Sequence, residues 1–189
     1  RRVKGELIGY WAVSRDGIIT DVQTAAGNIS INAGSSRFAG VEASISAELG
    51  SDLSATATFA FQDFRFRQRA ANGVDLFDGN LISEAPKTLG NLRIDWRPSH
   101  VDELQLSAQL RHIGKWALND ANTLFTENEF LLSFFAVWRA NDRITFDLKI
   151  ENVSNENYAV FADAPFFAPN GRARPGAPRT VSAGVVVQF

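Results

Sequence analysis

Three stretches of this 189-residue chain carry charges at alternate positions: Asp147, Lys149 and Glu151; Arg93, Asp95 and Arg97; and Asp63, Arg65, Arg67 and Arg69. Acids and bases spaced this way suit ion pairing, anion capture or proton transfer. Catalysis requires more. A covalent hydrolase needs a nucleophile beside a base and a group that orients the base. His112 lies an odd number of positions after Ser107, so on an extended strand they point to opposite faces. There is no Gly-x-Ser-x-Gly elbow, and no phosphate-cradling glycine loop or dinucleotide fingerprint. The chain has no Cys and only two His, His100 and His112, which removes thiolate ligands and disfavours a His-rich metal site. A formal charge of −2 gives no electrostatic footprint for nucleic acid. The residues therefore read as those of a protein that is not an enzyme and holds no cofactor or metal.

What must position these charges is a series of β-strands. Leu104, Leu106, Ala108 and Leu110 alternate with Gln105, Ser107, Gln109 and Arg111, and the same period of two runs through 41–49, 53–62, 91–97, 144–151 and 181–189. Segment 129–139 is apolar at both parities, and 3–14 is less regular. Eight strands are expected, over 3–22, 29–49, 53–67, 88–98, 103–116, 128–139, 143–153 and 177–189. Tight connections at 50–52, 98–102 and 140–142 alternate with long ones at 70–87, 117–127 and 154–176, which are rich in Gly, Asn, Asp and Pro. Short turns at one end and long loops at the other are the layout of an up-and-down transmembrane barrel. The expected fold is thus all-β: an antiparallel, up-and-down transmembrane β-barrel segment of roughly eight strands, in one domain over 1–189. Trp96 and Trp138 beside short turns and Trp116 beside a long loop fit aromatic girdles at both interfaces.

This places short turns in the periplasm and long loops outside the cell, in a bacterial outer membrane. Asp147, Lys149 and Glu151, with Glu42, Glu48, Arg93, Asp95 and Arg97, then line the interior as a solvated or salt-bridged wall, and His112 is expected as an inward polar wall residue. Asp63, Arg65, Arg67 and Arg69 continue the outward parity of Phe59 and Phe61 beyond the membrane, where Arg65, Arg67 and Arg69 could contact lipopolysaccharide phosphates. A helical span needs about 20 consecutive apolar residues, and 130–138 is the densest apolar stretch. With no Met and an Arg1-Arg2-Val3-Lys4 start, the chain reads as processed or as a fragment. Two other readings stay open: a stand-alone eight-stranded outer-membrane barrel with a structural or adhesive role, and a soluble carbohydrate-binding β-sandwich, although sandwich strands average about 5–6 residues.

Several motifs resemble the TonB-dependent outer-membrane receptors of siderophore type. Arg174-Pro175-Gly176-Ala177-Pro178-Arg179 before a final strand ending in Phe189 is similar to that family's Pro-Gly-x-Pro-Arg motif and terminal aromatic. Glu151-Asn152-Val153-Ser154-Asn155-Glu156-Asn157-Tyr158 resembles its Asn-Leu-x-Asp-x-x-Tyr strand end. The run from Asn32 to Gly40-Val41-Glu42 resembles its Asn…Gly-Val-Glu strand start, and Arg111–Trp116 followed by Asp120–Thr123 resembles one of its strands and loops. The resemblance implies the C-terminal part of a larger 22-stranded barrel, with an N-terminal plug and the remaining strands as partners. It implies uptake of a small-molecule metal chelate, such as a ferric siderophore, driven indirectly by the TonB complex. Phe189 would then be a C-terminal assembly signal, and Tyr158, Phe161, Phe166, Phe167, Arg172 and Arg174 a ligand-capturing loop.

Overall fold

The computed structural model describes residues 2–15, 18–24, 27–32, 34–68, 70–71, 74–75, 77–163 and 172–189. Its strands are β1 (Val3–Ser14), β2 (Ile18–Thr24), β3 (Gly27–Asn32), β4 (Ser35–Glu48), β5 (Leu53–Gln68), β6 (Ala70–Ala71), β7 (Val74–Asp75), β8 (Thr88–Trp96), β9 (Leu104–Ile113), β10 (Glu129–Asn141), β11 (Ile144–Glu151), β12 (Ala159–Asp163), β13 (Arg172–Pro175) and β14 (Thr180–Val187). Eight of them form one sheet in the order β1-β4-β5-β8-β9-β10-β11-β14. Every pairing within it is antiparallel. The other six make three small hairpins, β2-β3, β6-β7 and β12-β13, each inserted where a long connection was expected or at the far end of β1. The sheet is open, with β1 at one edge and β14 at the other.

The alternation in sequence becomes two chemically distinct faces because the registers keep parity from strand to strand. On one face Val41 lies opposite Phe61, Ala57 opposite Leu92, Leu92 opposite Leu110, Leu110 opposite Leu132, and Leu148 opposite Ala183. On the other, Thr56 lies opposite Arg93, Arg93 opposite Gln109, Gln109 opposite Ser133, and Lys149 opposite Ser182. The apolar face is wide open: Leu7, Ile45, Phe59, Phe134 and Val185 are all exposed. No large side chain among the described residues is fully buried, so there is no second layer and no sandwich core. The apolar band has the length of a membrane crossing. Strand β8 has nine residues, against the roughly 9–11 that a tilted strand needs. Trp96 and Trp138 close the band at the short-turn end, and Trp138 stacks on Phe146 at 5.7 Å. No helix is long and apolar enough to cross a membrane, which says nothing of crossing by strands.

Three expectations need correction. The first two strands do not run through 3–22 and 29–49: the sheet releases the chain at Ser14 and takes it back at Ser35, and the intervening alternation belongs to the separate β2-β3 hairpin. His112 is not inward. It follows Leu110 by two and therefore shares the apolar face, stacked on Phe130 at 4.5 Å with Nε2 3.0 Å from the Thr88 hydroxyl. Trp116 is not part of a girdle: it is 6% exposed, buried among the long connections.

At the short-turn end, Asp52 ties two turns together. Its carbonyl accepts the Arg97 amide at 2.7 Å, and its carboxylate accepts the Ser99 amide at 3.1 Å and the Ser51 hydroxyl. These hydrogen bonds, Ser51 foremost and Ser99 next, hold the Asp52 carboxyl below the usual carboxylate range. A carboxylate with a depressed folded-state pKa stabilises the fold above its unfolded-state value and ceases to do so as pH falls through the folded one. Protection of the Ser99 amide against hydrogen exchange should therefore persist at pH 5 and fall once the pH drops well below about 4, and Asp52→Asn should abolish that pH step. A second expectation follows from the two open edges, whose unpaired backbone groups template further pairing. The isolated chain should self-associate in detergent-free buffer, and a monodisperse sedimentation profile there would contradict it.

Candidate functional site

The polar face is a wall of charges that pair sideways. Arg93 and Asp95, two residues apart on β8, pair at 2.9 Å. Ser107, brought opposite Asp95 by the β8-β9 register, donates its hydroxyl to Asp95 at 2.6 Å and accepts the Arg93 guanidinium at 2.9 Å. Gln105 donates to Asp95 at 3.2 Å and its carbonyl accepts Arg97 at 3.3 Å. Gln109 donates to Asn91 at 2.6 Å. On β11 Lys149 pairs with Glu151 at 2.9 Å. Phe135 stands between the two charged groups, with Arg93 5.6 Å and Lys149 5.9 Å from its ring centre. The inward charges predicted from alternation thus share one face, where Arg93 pairs with Asp95 and Lys149 with Glu151. Ser107 and His112 stand on opposite faces, so the register makes no nucleophile–base pair. Among the described residues no three His, Cys, Asp or Glu side chains converge as a metal site.

At the long-loop end, side chains lock the connections together. Asn122 donates to the Leu81 carbonyl at 2.9 Å and accepts the Leu81 amide at 2.7 Å. Ser83 donates to Asp120 at 2.6 Å, and the Glu84 amide to the Ala117 carbonyl at 2.9 Å. Trp116 reaches the β12-β13 hairpin, donating Nε1–H to the Ala162 carbonyl at 3.2 Å; Ala117 and Ala162 are buried beside it. An aromatic cluster of Tyr10, Phe38 and Phe64 lies on the polar face near the same end, with the Phe38 and Phe64 ring centres 5.2 Å apart. Even-numbered aromatics on an otherwise polar parity were the sequence signal for it.

The two C-terminal motifs clasp each other. Asn152, 4% exposed and at φ 50°, donates to the Glu156 carbonyl at 2.9 Å and the Ala177 carbonyl at 3.0 Å, and accepts the Glu156 amide at 2.9 Å. Asn155, at φ 55°, accepts the Arg179 amide at 2.9 Å. Asn tolerates this left-handed backbone, which most residues avoid. The Tyr158 ring lies over Gly176 where any larger residue would place its Cβ, and the Arg111 guanidinium stands 6.0 Å from the ring centre. Tyr158, expected as a ligand-loop residue, is therefore packed into the wall. Phe161 and Arg174, expected in the same loop, face each other across the β12-β13 ladder and are both exposed. Phe166 and Phe167 lie outside the described residues. Arg172 lies in β13, but its side chain is not described. Phe189, two residues beyond Val187, is fully exposed.

The outward arginines are partly engaged. Arg65 donates Nε to Asp63 at 2.7 Å and Nη1 to the Gly79 carbonyl at 2.7 Å. Arg37, which sequence reasoning missed, pairs with the other oxygen of Asp63. Its odd position on the Ala39–Val41 parity was the available signal. Arg67 is exposed at a bulge where the β4-β5 register shifts, and Arg69 lies outside the described residues.

Residues 5–153 match the model of the family described as TonB dependent receptor-like, beta-barrel. No curated protein matches the chain. Among solved structures it is similar to the ferric yersiniabactin uptake receptor FyuA from Yersinia pestis, with a TM-score of 0.80 and 17% identity over 99% of this chain and 28% of that one. It is similar to the siderophore receptor PiuA from Acinetobacter baumannii, with a TM-score of 0.77 and 19% identity over 97% of this chain and 26% of that one. BauA, the ferric preacinetobactin receptor of the same organism, gives 0.74 and 22% over 97% and 27%. At these identities the likeness concerns the fold. The chain spans about a quarter of the length of these relatives.

The clasp has a direct test. Asn152→Ala strands an amide and two carbonyls in a buried setting and should cost about 2–3 kcal/mol. Asn152→Asp keeps the backbone preference but loses both donated bonds. Both variants should lower the temperature at which the folded barrel loses its heat-resistant gel mobility, whereas Asn157→Ala, outside the clasp bonds, should not.

Proposed function

Because the chain belongs to the family of TonB-dependent receptor-like β-barrels, a family of receptors rather than enzymes, we propose that it is the C-terminal barrel portion of an outer-membrane receptor for ferric siderophores or similar scarce nutrients. The apolar face meets lipid, the polar face meets the lumen and an N-terminal plug, and TonB energises transport through that plug. The single observation that carries the reading is the pairing of a continuous apolar face with a polar one in an antiparallel sheet left open at both edges. In hydrocarbon an open edge leaves backbone groups unsatisfied at several kcal/mol each. Further strands must therefore cover β1 and β14. The missing β1-β14 pairing also counts against a self-contained eight-stranded barrel. Phe189, on the lipid parity of Val181–Val187, fits a C-terminal assembly signal.

Ligand capture falls to the β12-β13 hairpin. Phe161 and Arg174 present an aromatic face and a guanidinium from neighbouring strands, on the parity opposite to Ala162, whose carbonyl holds Trp116. That pair suits an anionic, aromatic metal chelate. In the full-length receptor, Arg174→Gln and Phe161→Ala should each weaken binding of an anionic ferric chelate about tenfold, equivalent to about 1.4 kcal/mol, measured by equilibrium binding on cells. Tyr158→Phe should leave affinity unchanged, since that ring packs on Gly176. Absence of any chelate-dependent iron uptake across a panel of catecholate and hydroxamate chelates would overturn the proposed substrate class.

A further inference from the structure

We infer that Arg37, Asp63 and Arg65 form a built phosphate site on the outer wall, and that its ligand is a phosphorylated glycolipid of the outer leaflet, lipopolysaccharide. The inference rests on the outward orientation of the apolar face proposed above. The β4-β5 register sets Arg37 directly opposite Arg65 on that face. Like charges at such a position repel. Asp63 lies two pairs nearer the apolar band, next along the same face, and its two oxygens are divided between the two guanidinium groups. One carboxylate cannot neutralise two arginines, so one positive charge remains.

The triad is also rigid and incompletely bonded. The Gly79 carbonyl fixes Arg65 through Nη1 at 2.7 Å. Arg37 Nε is buried and has no hydrogen-bond partner among the described residues. A buried donor of a charged group is costly to leave unmade. Arg37 and Arg65 are 28% and 36% exposed, so an anion from outside the chain meets the accessible edges of the two guanidinium groups rather than Nε. Phosphate suits them, because guanidinium forks bind phosphate oxygens bidentately and braced side chains lose little freedom on binding. The level is right for a lipid headgroup: the triad begins two residues beyond Phe61, which pairs with Thr88 where the apolar band of β5 and β8 ends. It stands at the long-loop end, which faces the outer leaflet, where the phosphates belong to glycolipid rather than phospholipid.

The test uses the full-length receptor extracted from outer membranes in mild detergent and washed with excess phosphatidylglycerol. Lipopolysaccharide retained per protein is counted by native mass spectrometry and by 3-hydroxy fatty acid content, with heat-modifiable gel mobility reporting folding. Wild type should keep its glycolipid through the wash. Arg37→Gln with Arg65→Gln should retain about tenfold less. Asp63→Asn, which removes the competing carboxylate but neither cation, should retain at least as much as wild type. If the double variant does not fold, Arg65→Lys serves: it keeps the charge but lacks the fork, and should retain less than wild type. Unchanged retention in a folded arginine variant, loss in Asp63→Asn, or displacement from wild type by phosphatidylglycerol would each overturn the site. Failure of the wild-type protein to fractionate with the outer membrane would instead overturn the placement in the membrane, so the two failures are distinguishable.

Discussion

Register between strands is the constraint on which this structure depends. Successive side chains on a strand face opposite sides, so a slip of one residue exchanges the two faces entirely. Here the exchange would move Arg93, Asp95, Asp147, Lys149 and Glu151 onto the face that carries Leu92, Ile94, Phe146 and Leu148. A charge on the lipid face of a barrel costs about 2–4 kcal/mol at the bilayer midplane. Several charges shifting together make a slipped sheet inaccessible. Each strand therefore inherits its register from its neighbour, and parity carries across all eight strands from β1 to β14.

Packing reinforces that register where charge alone leaves it loose. The chain has two tyrosines, and both lie across a glycine on a neighbouring segment: Tyr10 over Gly40 and Tyr158 over Gly176. Only a residue without a Cβ admits a ring there, and a strand shifted along its partner would bring a side chain into the same space. At Gly40 the ring covers the middle of the β1-β4 pairing, which lies at an open edge. At Gly176 it meets the Asn152 clasp, and together they deliver the chain to β14 at the one point from which Thr180 falls opposite Glu151. The Pro-Gly-x-Pro-Arg run and the Asn-rich strand end are thus halves of a single device that seats the last strand.

The order and parity of the eight main strands were legible in the sequence because they depend on period two, which survives without knowledge of tertiary contacts. What failed depends on contacts between distant segments. Trp116 reads as an interfacial girdle from its place beside a loop, yet the Ala162 carbonyl, 46 positions away, draws it inward. His112 was set on the wrong face only because a polar side chain was expected to be inward, although its spacing from Leu110 already contradicted that. A hydroxyl on Thr88 and a ring on Phe130 make the apolar face tolerable to it. The residues after Ser14 alternate well enough to extend β1, and nothing local records that their partner is the β2-β3 hairpin rather than the sheet. Arg37 escaped notice for a related reason: its significance lies in Arg65 and Asp63, reached only through the β4-β5 register.

The polar wall and the arginine triad use similar groups to opposite effect, and pairing geometry decides which outcome results. On the wall, Arg93 finds its counterion Asp95 and Lys149 finds Glu151 two residues along the same strand, and amide or hydroxyl groups from β9 take up remaining bonds of the Arg93–Asp95 pair. Such a surface has little residual appetite for a ligand, which suits a wall that a neighbouring domain or a passing solute must touch without being held. On the outer face two arginines compete for one carboxylate across the strands, and one of their buried donors is left over. The difference is not composition, since both places combine Arg with Asp, but stoichiometry set by register. That makes the Arg93–Asp95 and Lys149–Glu151 pairs self-sufficient and leaves the outer triad with a net positive charge.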